Sequence, residues 1–415
     1  MKKIKESDSV MTLVRGNRSL VIGHWVSCLL ILTFISSCSV SKQINKQAQT
    51  ILLSDSAIST GHIGISIYEP ATSKYWYNYN ASKYFIPASN TKLFTLYAGM
   101  KYLGDSLTAL AWQNFSDTAI NVSGTGDPTF LHPDFKDQRV LDFLKAQHKA
   151  IYISGNYQDS ALGYGWAWDD YNDDYMVERN AFPVYGNVVS IAVNEYKKEE
   201  RFYVEPNWKT SPTYFETLLP AFRLLETRYR ADADLKKIDS NKAQVLTKSF
   251  TLNRERTANN FTLRSAGTVF KNQSTPFYTD GIKTTASILK TDFQLNIKEG
   301  ILLDNSLYTG TPAHLRWHKI RSQPSDSLFK PMMHRSDNFF AEQTLLMVSN
   351  ERMDKMSSGK IIEILLNEDL KDVPQRPKWV DGSGLSRYNL FTPQSFVYIL
   401  NKMKNEFGWE RIKNI

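Results

Sequence analysis

The sequence predicts an α/β (α+β) domain interrupted by a large β-rich insertion, and three observations predict it. Apolar helical patterning covers Asn90–Gly104 and returns after Pro276. Between about Leu110 and Ser274 it gives way to short alternating runs punctuated by Gly124, Gly126, Pro128, Gly155, Gly163, Gly165 and Pro183, the texture of strands and turns. The composition is globular: 415 residues, 42% hydrophobic and 22% charged. At roughly 100–200 residues per domain that length allows two or three domains. Lysine and arginine exceed aspartate and glutamate by 50 to 42, a dispersed net charge of +8 that carries no nucleic-acid signature. Both cysteines, Cys28 and Cys38, fall near the start, so the body holds no disulfide framework and no cysteine-based zinc site.

Taken in order, residues 1–37 read as a leader. Lys2, Lys3, Lys5, Arg15 and Arg18 precede an apolar run from Leu20 to Ile35 and then the small residues Ser36-Ser37-Cys38-Ser39, the order of a secretory signal. A membrane anchor is the alternative, but Gly23, His24 and Ser27 interrupt a run already short for a span of about 20 residues. Ile35-Ser36-Ser37-Cys38 resembles a bacterial lipobox, which implies lipidation of Cys38 and an extracytoplasmic, periplasmic protein held to the membrane by its lipid. Residues 38–50 are polar and read as a tether. His62–Tyr68 and Tyr75–Tyr79 flank a proline-containing turn, a strand, turn, strand signal. The next segment, Asn90–Gly104, is apolar on nearly every side and predicts a buried helix. After the insertion, helices are expected over Tyr278–Phe293, Asp326–Met347, Lys360–Leu370 and Thr392–Phe407, the last with Thr392 as N-cap and Pro393 at the first helical position. One domain is thus expected from residues 51–109 and 275–415, with 110–274 inserted.

Two short patterns could carry chemistry. Ser89-Asn90-Thr91-Lys92 places a serine and a lysine three apart at the start of the buried helix, hence on one face, where the amine, kept neutral by burial, could take the hydroxyl proton. The plainer alternative for Ser89 is a helix cap. Ser39/Lys42, Ser327/Lys330 and Ser357/Lys360 repeat the spacing, so it is weak alone. Ser336-Asp337-Asn338 follows far downstream, again at the edge of an apolar helix, and could equally be a turn or a cap. His314 and His318 are four apart but lack the central glutamate of H-E-x-x-H, so packing or surface roles are expected rather than a metal site. There is no phosphate loop and no G-x-S-x-G, and no cofactor is expected.

With these motifs in order, the sequence resembles the class C low-molecular-mass penicillin-binding proteins, serine D-alanyl-D-alanine carboxypeptidases/endopeptidases of the cell wall. The resemblance is carried by Pro87-Ala88-Ser89-Asn90-Thr91-Lys92-Leu93, Gly124-Thr125-Gly126-Asp127-Pro128-Thr129, Gly165-Trp166-Ala167-Trp168-Asp169-Asp170, Arg335-Ser336-Asp337-Asn338-Phe339-Phe340-Ala341-Glu342 and Asp381-Gly382-Ser383-Gly384-Leu385-Ser386-Arg387-Tyr388-Asn389. It implies a penicillin-binding, serine β-lactamase-like transpeptidase domain. Ser89 would be the acylated nucleophile, Lys92 its base, and Ser336 with Asn338 the pair that relays a proton to the leaving D-alanine and holds the substrate amide. It implies further that Asp170, or else Asp169, meets the side-chain amine of the stem peptide's diamino acid. The implied partners are peptidoglycan stem peptides, with β-lactam antibiotics as acylating inhibitors. The family's third motif, K-T-G, is absent; Lys283-Thr284-Thr285 has neither its order nor its setting. The expectation is therefore a catalytic domain lacking its C-terminal sheet strands, and weak or no activity. The alternatives are a non-catalytic peptidoglycan-binding lipoprotein or a β-lactamase or esterase on the same fold.

Overall fold

The structure, a computed structural model, describes residues 41–196, 199–205, 223–227, 249–266, 272–298 and 317–415. The expected leader 1–37, the lipidation candidate Cys38 and His314 lie outside the described residues. Two units divide the chain: residues up to Tyr84 together with Thr392–Val397, and Phe85–Phe391 together with Tyr398–Ile415.

The first unit is built on a hairpin of β1 (Ile65–Glu69) and β2 (Lys74–Tyr79), the expected strand, turn, strand. Ser73 takes a left-handed conformation (φ 54°) in the turn, and Thr72 bonds back to the Glu69 carboxylate. Thr392 caps the helix that begins at Pro393, its hydroxyl accepting from the Ser395 N–H at 3.1 Å, as the Thr-Pro pair predicts.

In the second unit, α1 (Lys92–Tyr102) is buried on nearly every side because two helices cover it, α4 (Ser325–His334) and α5 (Asn338–Met353). Gly99 is the crossing point. A Cβ there would lie 2.7 Å from the Phe329 ring on α4 and 2.9 Å from Thr344 Cγ2 on α5, so only glycine lets the three backbones approach this closely. The single helix expected over Asp326–Met347 is two helices. Ser336 is left-handed (φ 56°) and Asp337 is extended, its carboxylate accepting from the Phe340 N–H at 3.0 Å, so the chain turns and α5 starts afresh. Two further helices follow, α6 (Ser358–Asn367) and α7 (Pro393–Phe407), the second of which passes from one unit to the other.

A five-stranded mixed sheet runs in the order β12-β5-β4-β3-β13, with β3 at Ser106–Ser116, β4 at Ala119–Gly124, β5 at Ala150–Ser154, β12 at Ile297–Lys298 and β13 at His318–Pro324. Residues 110 and 274, expected as insertion boundaries, fall within strands: β3 passes through 110, and β11 spans Asn272–Pro276. The helices α2 (Arg139–Lys145) and α3 (Lys283–Asp292) bury Leu144, Ile288 and Leu289 in one core with Ile120, Val122 and Ile151 of the sheet. Two smaller sheets complete the β-rich part. One orders β11 beside β6 (Val188–Tyr196) and β7 (Glu199–Glu205); the other orders β8 (Arg223–Thr227), β10 (Asn260–Ala266) and β9 (Ser249–Arg254). Among the described residues no helix is long and apolar enough to cross a membrane.

Candidate active site

Pro87 leads into a 3-10 turn, Ala88–Thr91, that runs directly into α1. Ser89 lies inside this turn with its side chain exposed, and Ala88 before it is left-handed (φ 47°), a strained conformation for a residue with a Cβ. One turn on, Lys92 is 1% exposed. Its Nζ lies 3.1 Å from Ser89 Oγ, 2.6 Å from Asn338 Oδ1 and 2.9 Å from the Ser383 carbonyl. Ser89 is thus engaged by Lys92 within a turn rather than standing at the helix cap. Burial pulls the Lys92 amine down to about 8, against the opposing pull of Glu342, Asp337 and Asp381.

The three contacts define what a neutral amine can do here. It has two N–H donors and one lone pair. Asn338 Oδ1 and the Ser383 carbonyl can only accept, so they take the two hydrogens. The lone pair is left facing the Ser89 hydroxyl, which can donate.

Asn338 opens α5, and its Nδ2 donates to the Tyr175 carbonyl at 3.0 Å, which fixes the amide with Oδ1 toward Lys92. Ser336 sits two residues earlier on the exposed, left-handed turn and is not a partner of Lys92. Asp169 and Asp170 lie on a short 3-10 turn, Trp168–Asp170. Asp169 is exposed. Asp170 and Asp173 both take a hydrogen bond from the Tyr175 side chain, which together with burial pushes that phenol up. Tyr175 therefore joins Asp170, through its side chain, to Asn338, through its backbone.

Two features of the site had no role assigned from sequence. The segment Asp381–Ser386 packs directly beneath the serine turn. Asp381 Oδ1 accepts from the Gly384 N–H (2.9 Å) and Asn389 Nδ2 (2.7 Å), and its Oδ2 from the Ser386 N–H (2.6 Å) and Trp166 Nε1 (2.8 Å). At Gly384 (φ 90°) a Cβ would lie 1.9 Å from the Ala88 carbonyl oxygen, so glycine is required for the loop to touch the turn that carries Ser89. The second feature is a wholly buried Glu342 on α5. Its Oε1 accepts from the Ser383 N–H at 2.7 Å and its Oε2 pairs with Arg179 Nη1 at 3.0 Å. Burial pushes Glu342 up to about 7; Asp381 adds to the rise, and Arg179 and Ser383 oppose it. The available signal was an ionisable residue inside the stretch Phe339–Val348, which is apolar apart from Glu342, Gln343 and Thr344.

A family model described as "D-Ala-D-Ala carboxypeptidase 3 (S13) family" matches residues 44–411. Among solved structures, the chain is similar to penicillin binding protein 4 (dacB) from Haemophilus influenzae, with a TM-score of 0.57 and 19% identity over 85% of this chain and 77% of that one. It is similar also to the same protein complexed with a novel β-lactam, with a TM-score of 0.51 and 20% identity over 84% of this chain and 76% of that one. No curated protein matches.

Proposed function

The chain belongs to the D-Ala-D-Ala carboxypeptidase 3 (S13) family, and from that premise we propose that it cleaves D-alanyl-D-alanine ends or cross-links of peptidoglycan stem peptides through an acyl-Ser89 intermediate. The single observation that carries the proposal is the position of Lys92 Nζ, 3.1 Å from Ser89 Oγ with its other two contacts on obligate acceptors. Ser89 Oγ attacks the scissile carbonyl while its proton passes to neutral Lys92. A tetrahedral oxyanion forms and collapses with cleavage of the C–N bond, the proton held by Lys92 passes by way of the Ser336 hydroxyl to the nitrogen of the leaving D-alanine, and Asn338 holds the substrate amide. Water then releases the acyl group. Asp170, braced by Tyr175, is the carboxylate proposed to meet the amine of the diamino acid. A β-lactam would enter as a strained acyl donor at Ser89, in keeping with the β-lactam complex of the similar H. influenzae protein. Lipidation of Cys38 would hold the protein outside the cytoplasm.

The 415 residues contain no Lys-Thr-Gly, the motif that the resemblance implies would grip the substrate carboxylate and donate to the oxyanion. A second reading is a peptidoglycan-binding protein without turnover. Incubation with a fluorescent penicillin followed by peptide mass spectrometry separates the two. A stoichiometric adduct on Ser89, lost in Ser89→Ala, is the expected result. No adduct, with muropeptide binding retained, would establish the second reading, and an adduct on another serine would refute the assignment of Ser89.

A further inference from the structure

We propose that Glu342 and Arg179 are positioning residues that hold the Ser383 peptide so that its carbonyl aims the Lys92 lone pair at Ser89, an inference that rests on the proposed roles of Ser89 and Lys92. A neutral lysine amine turns freely about its last bond, and only fixed acceptors decide where its lone pair points. There are two here, and each needs an anchor of its own. Asn338 Oδ1 is anchored through Nδ2 on the Tyr175 carbonyl. The Ser383 carbonyl is anchored by its neighbours in the loop: its own N–H on Glu342 Oε1, the Gly382 carbonyl on Thr95 Oγ1 at 2.7 Å, and the Gly384 N–H on Asp381 Oδ1.

Glu342 is the unusual member of that set. It is 0% exposed in the second turn of α5, where an apolar side chain would pack at no electrostatic cost, whereas a buried carboxylate carries a desolvation penalty of several kcal/mol unless paired. Its pairing is built in depth. Arg179 is itself 3% exposed. Besides Glu342 its guanidinium reaches the Ser160 carbonyl (3.0 Å) and Ser358 Oγ (3.3 Å), and it pairs with Asp159 at 3.7 Å. Asp159 also accepts from the Ser358 N–H at 2.8 Å. None of these groups touches Ser89, and no step of the proposed reaction consumes their charge. What the carboxylate does supply is a charge-assisted hydrogen bond to the Ser383 N–H, about twice the strength of a neutral one.

The charged groups around the two ends are few. Lys92 faces Asp337 and Glu342 of the α5 region and Asp381 of the loop, and Glu342 faces Asp381 and Arg179. Burial raises the Glu342 carboxyl to about 7 and Asp381 adds to the rise, while Arg179 and the Ser383 N–H oppose it and favour the anion.

The test uses a readout that does not depend on turnover. In the full-length protein labelled with 13C at lysine Cε, Lys92 is assigned by Lys92→Arg and titrated by NMR. Glu342→Gln keeps the shape and an acceptor for Ser383 but removes the charge, so the Lys92 midpoint is expected to fall. Arg179→Met, which leaves Glu342 to take up a proton, is expected to move it the same way, and Arg179→Lys to leave it near the wild-type value. Where wild-type Ser89 acylates, and at a pH above both midpoints so that Lys92 is neutral in both proteins, Glu342→Gln is expected to slow acylation about tenfold or more, with the concentration for half-maximal rate unchanged. A Lys92 midpoint unmoved in Glu342→Gln overturns the proposal, as does an Arg179→Lys variant that behaves like Arg179→Met. Should Arg179→Met fail to fold, the Gln and Lys variants still decide. Absence of any Ser89 adduct in the wild type would instead count against the catalytic reading, independently of the midpoints.

Discussion

A lysine amine ordinarily keeps its proton far above neutral pH, and Ser89 needs one that has lost it. Burial of Lys92 brings the midpoint down to about 8 although Glu342, Asp337 and Asp381 all favour the ammonium. In the proposed reaction the neutral form is the base, and below the midpoint its fraction grows about tenfold with each pH unit. Acylation of Ser89 by a fluorescent penicillin is therefore expected to rise between about pH 6 and about pH 8 and to level off above it. A rate that is flat or falls over that interval would exclude neutral Lys92 as the base. The Ser89 and Lys92 pair was legible because two side chains three apart at a helix start share a face whatever the tertiary structure. Asn338 was legible only through family resemblance, since nothing in spacing alone brings residue 338 to residue 92. Ser383 was not legible in this role at all. It acts through a main-chain carbonyl, which every residue has, so it leaves no mark in residue type; Glu342 leaves the mark of an ionisable residue, but nothing in the sequence says that its carboxylate meets the Ser383 N–H.

At the scale of elements, apolar periodicity identified the helices well wherever one face or all faces are buried, as in α1 and α7. It failed over Asp326–Met347, where the polar run His334–Asn338 interrupts the apolar pattern and the local capping by Asp337 decides the break. That break places Asn338 at the first residue of α5, where it reaches Lys92, so the missed detail is the one on which the site depends. What α1 packs against was likewise hidden, apart from the presence of Gly99. Alanine favours a helix over glycine by roughly 0.5–1 kcal/mol, and an exposed Gly→Ala change would stabilise. At Gly99 the added methyl meets Phe329 and Thr344, and Phe329 is 0% exposed with no room to swing. Overpacking of this kind costs about 1–3 kcal/mol, so the overpacking is the larger effect. Gly99→Ala is expected to lower the urea midpoint, and an unchanged or raised midpoint would mean that α1, α4 and α5 can move apart.

Across the whole molecule, composition announced a β-rich region but not how its strands pair. The five-stranded sheet takes β4 and β5 from inside the expected insertion, β3 from across its first boundary and β12 and β13 from beyond it, because a sheet is joined by hydrogen bonds between strands distant in sequence and texture reports only each strand's own pattern. The ties between such parts are buried polar groups, and Arg254 with Glu178 is the most complete. Arg254 ends β9 and is 2% exposed, with Nη2 at 2.9 Å from Glu178 Oε1, Nε at 2.8 Å from the Pro276 carbonyl, and Nη1 at 2.9 Å from the Glu255 and Arg256 carbonyls. Glu178 Oε2 in turn accepts from the N–H and the hydroxyl of Thr279, at 2.8 and 3.0 Å. One side-chain pair thereby joins β9, the end of β11 and the segment that also carries Arg179. Removing one partner strands the other charge in the interior, which costs about 3–5 kcal/mol, whereas exchanging both for apolar residues of similar volume is often neutral. Arg254→Met and Glu178→Met are each expected to lower unfolding free energy by that amount in denaturant titrations, and the double variant to lose less than either single one. Additive losses in the double variant would show that packing at each site, rather than the charge pair, holds these strands to the rest of the chain.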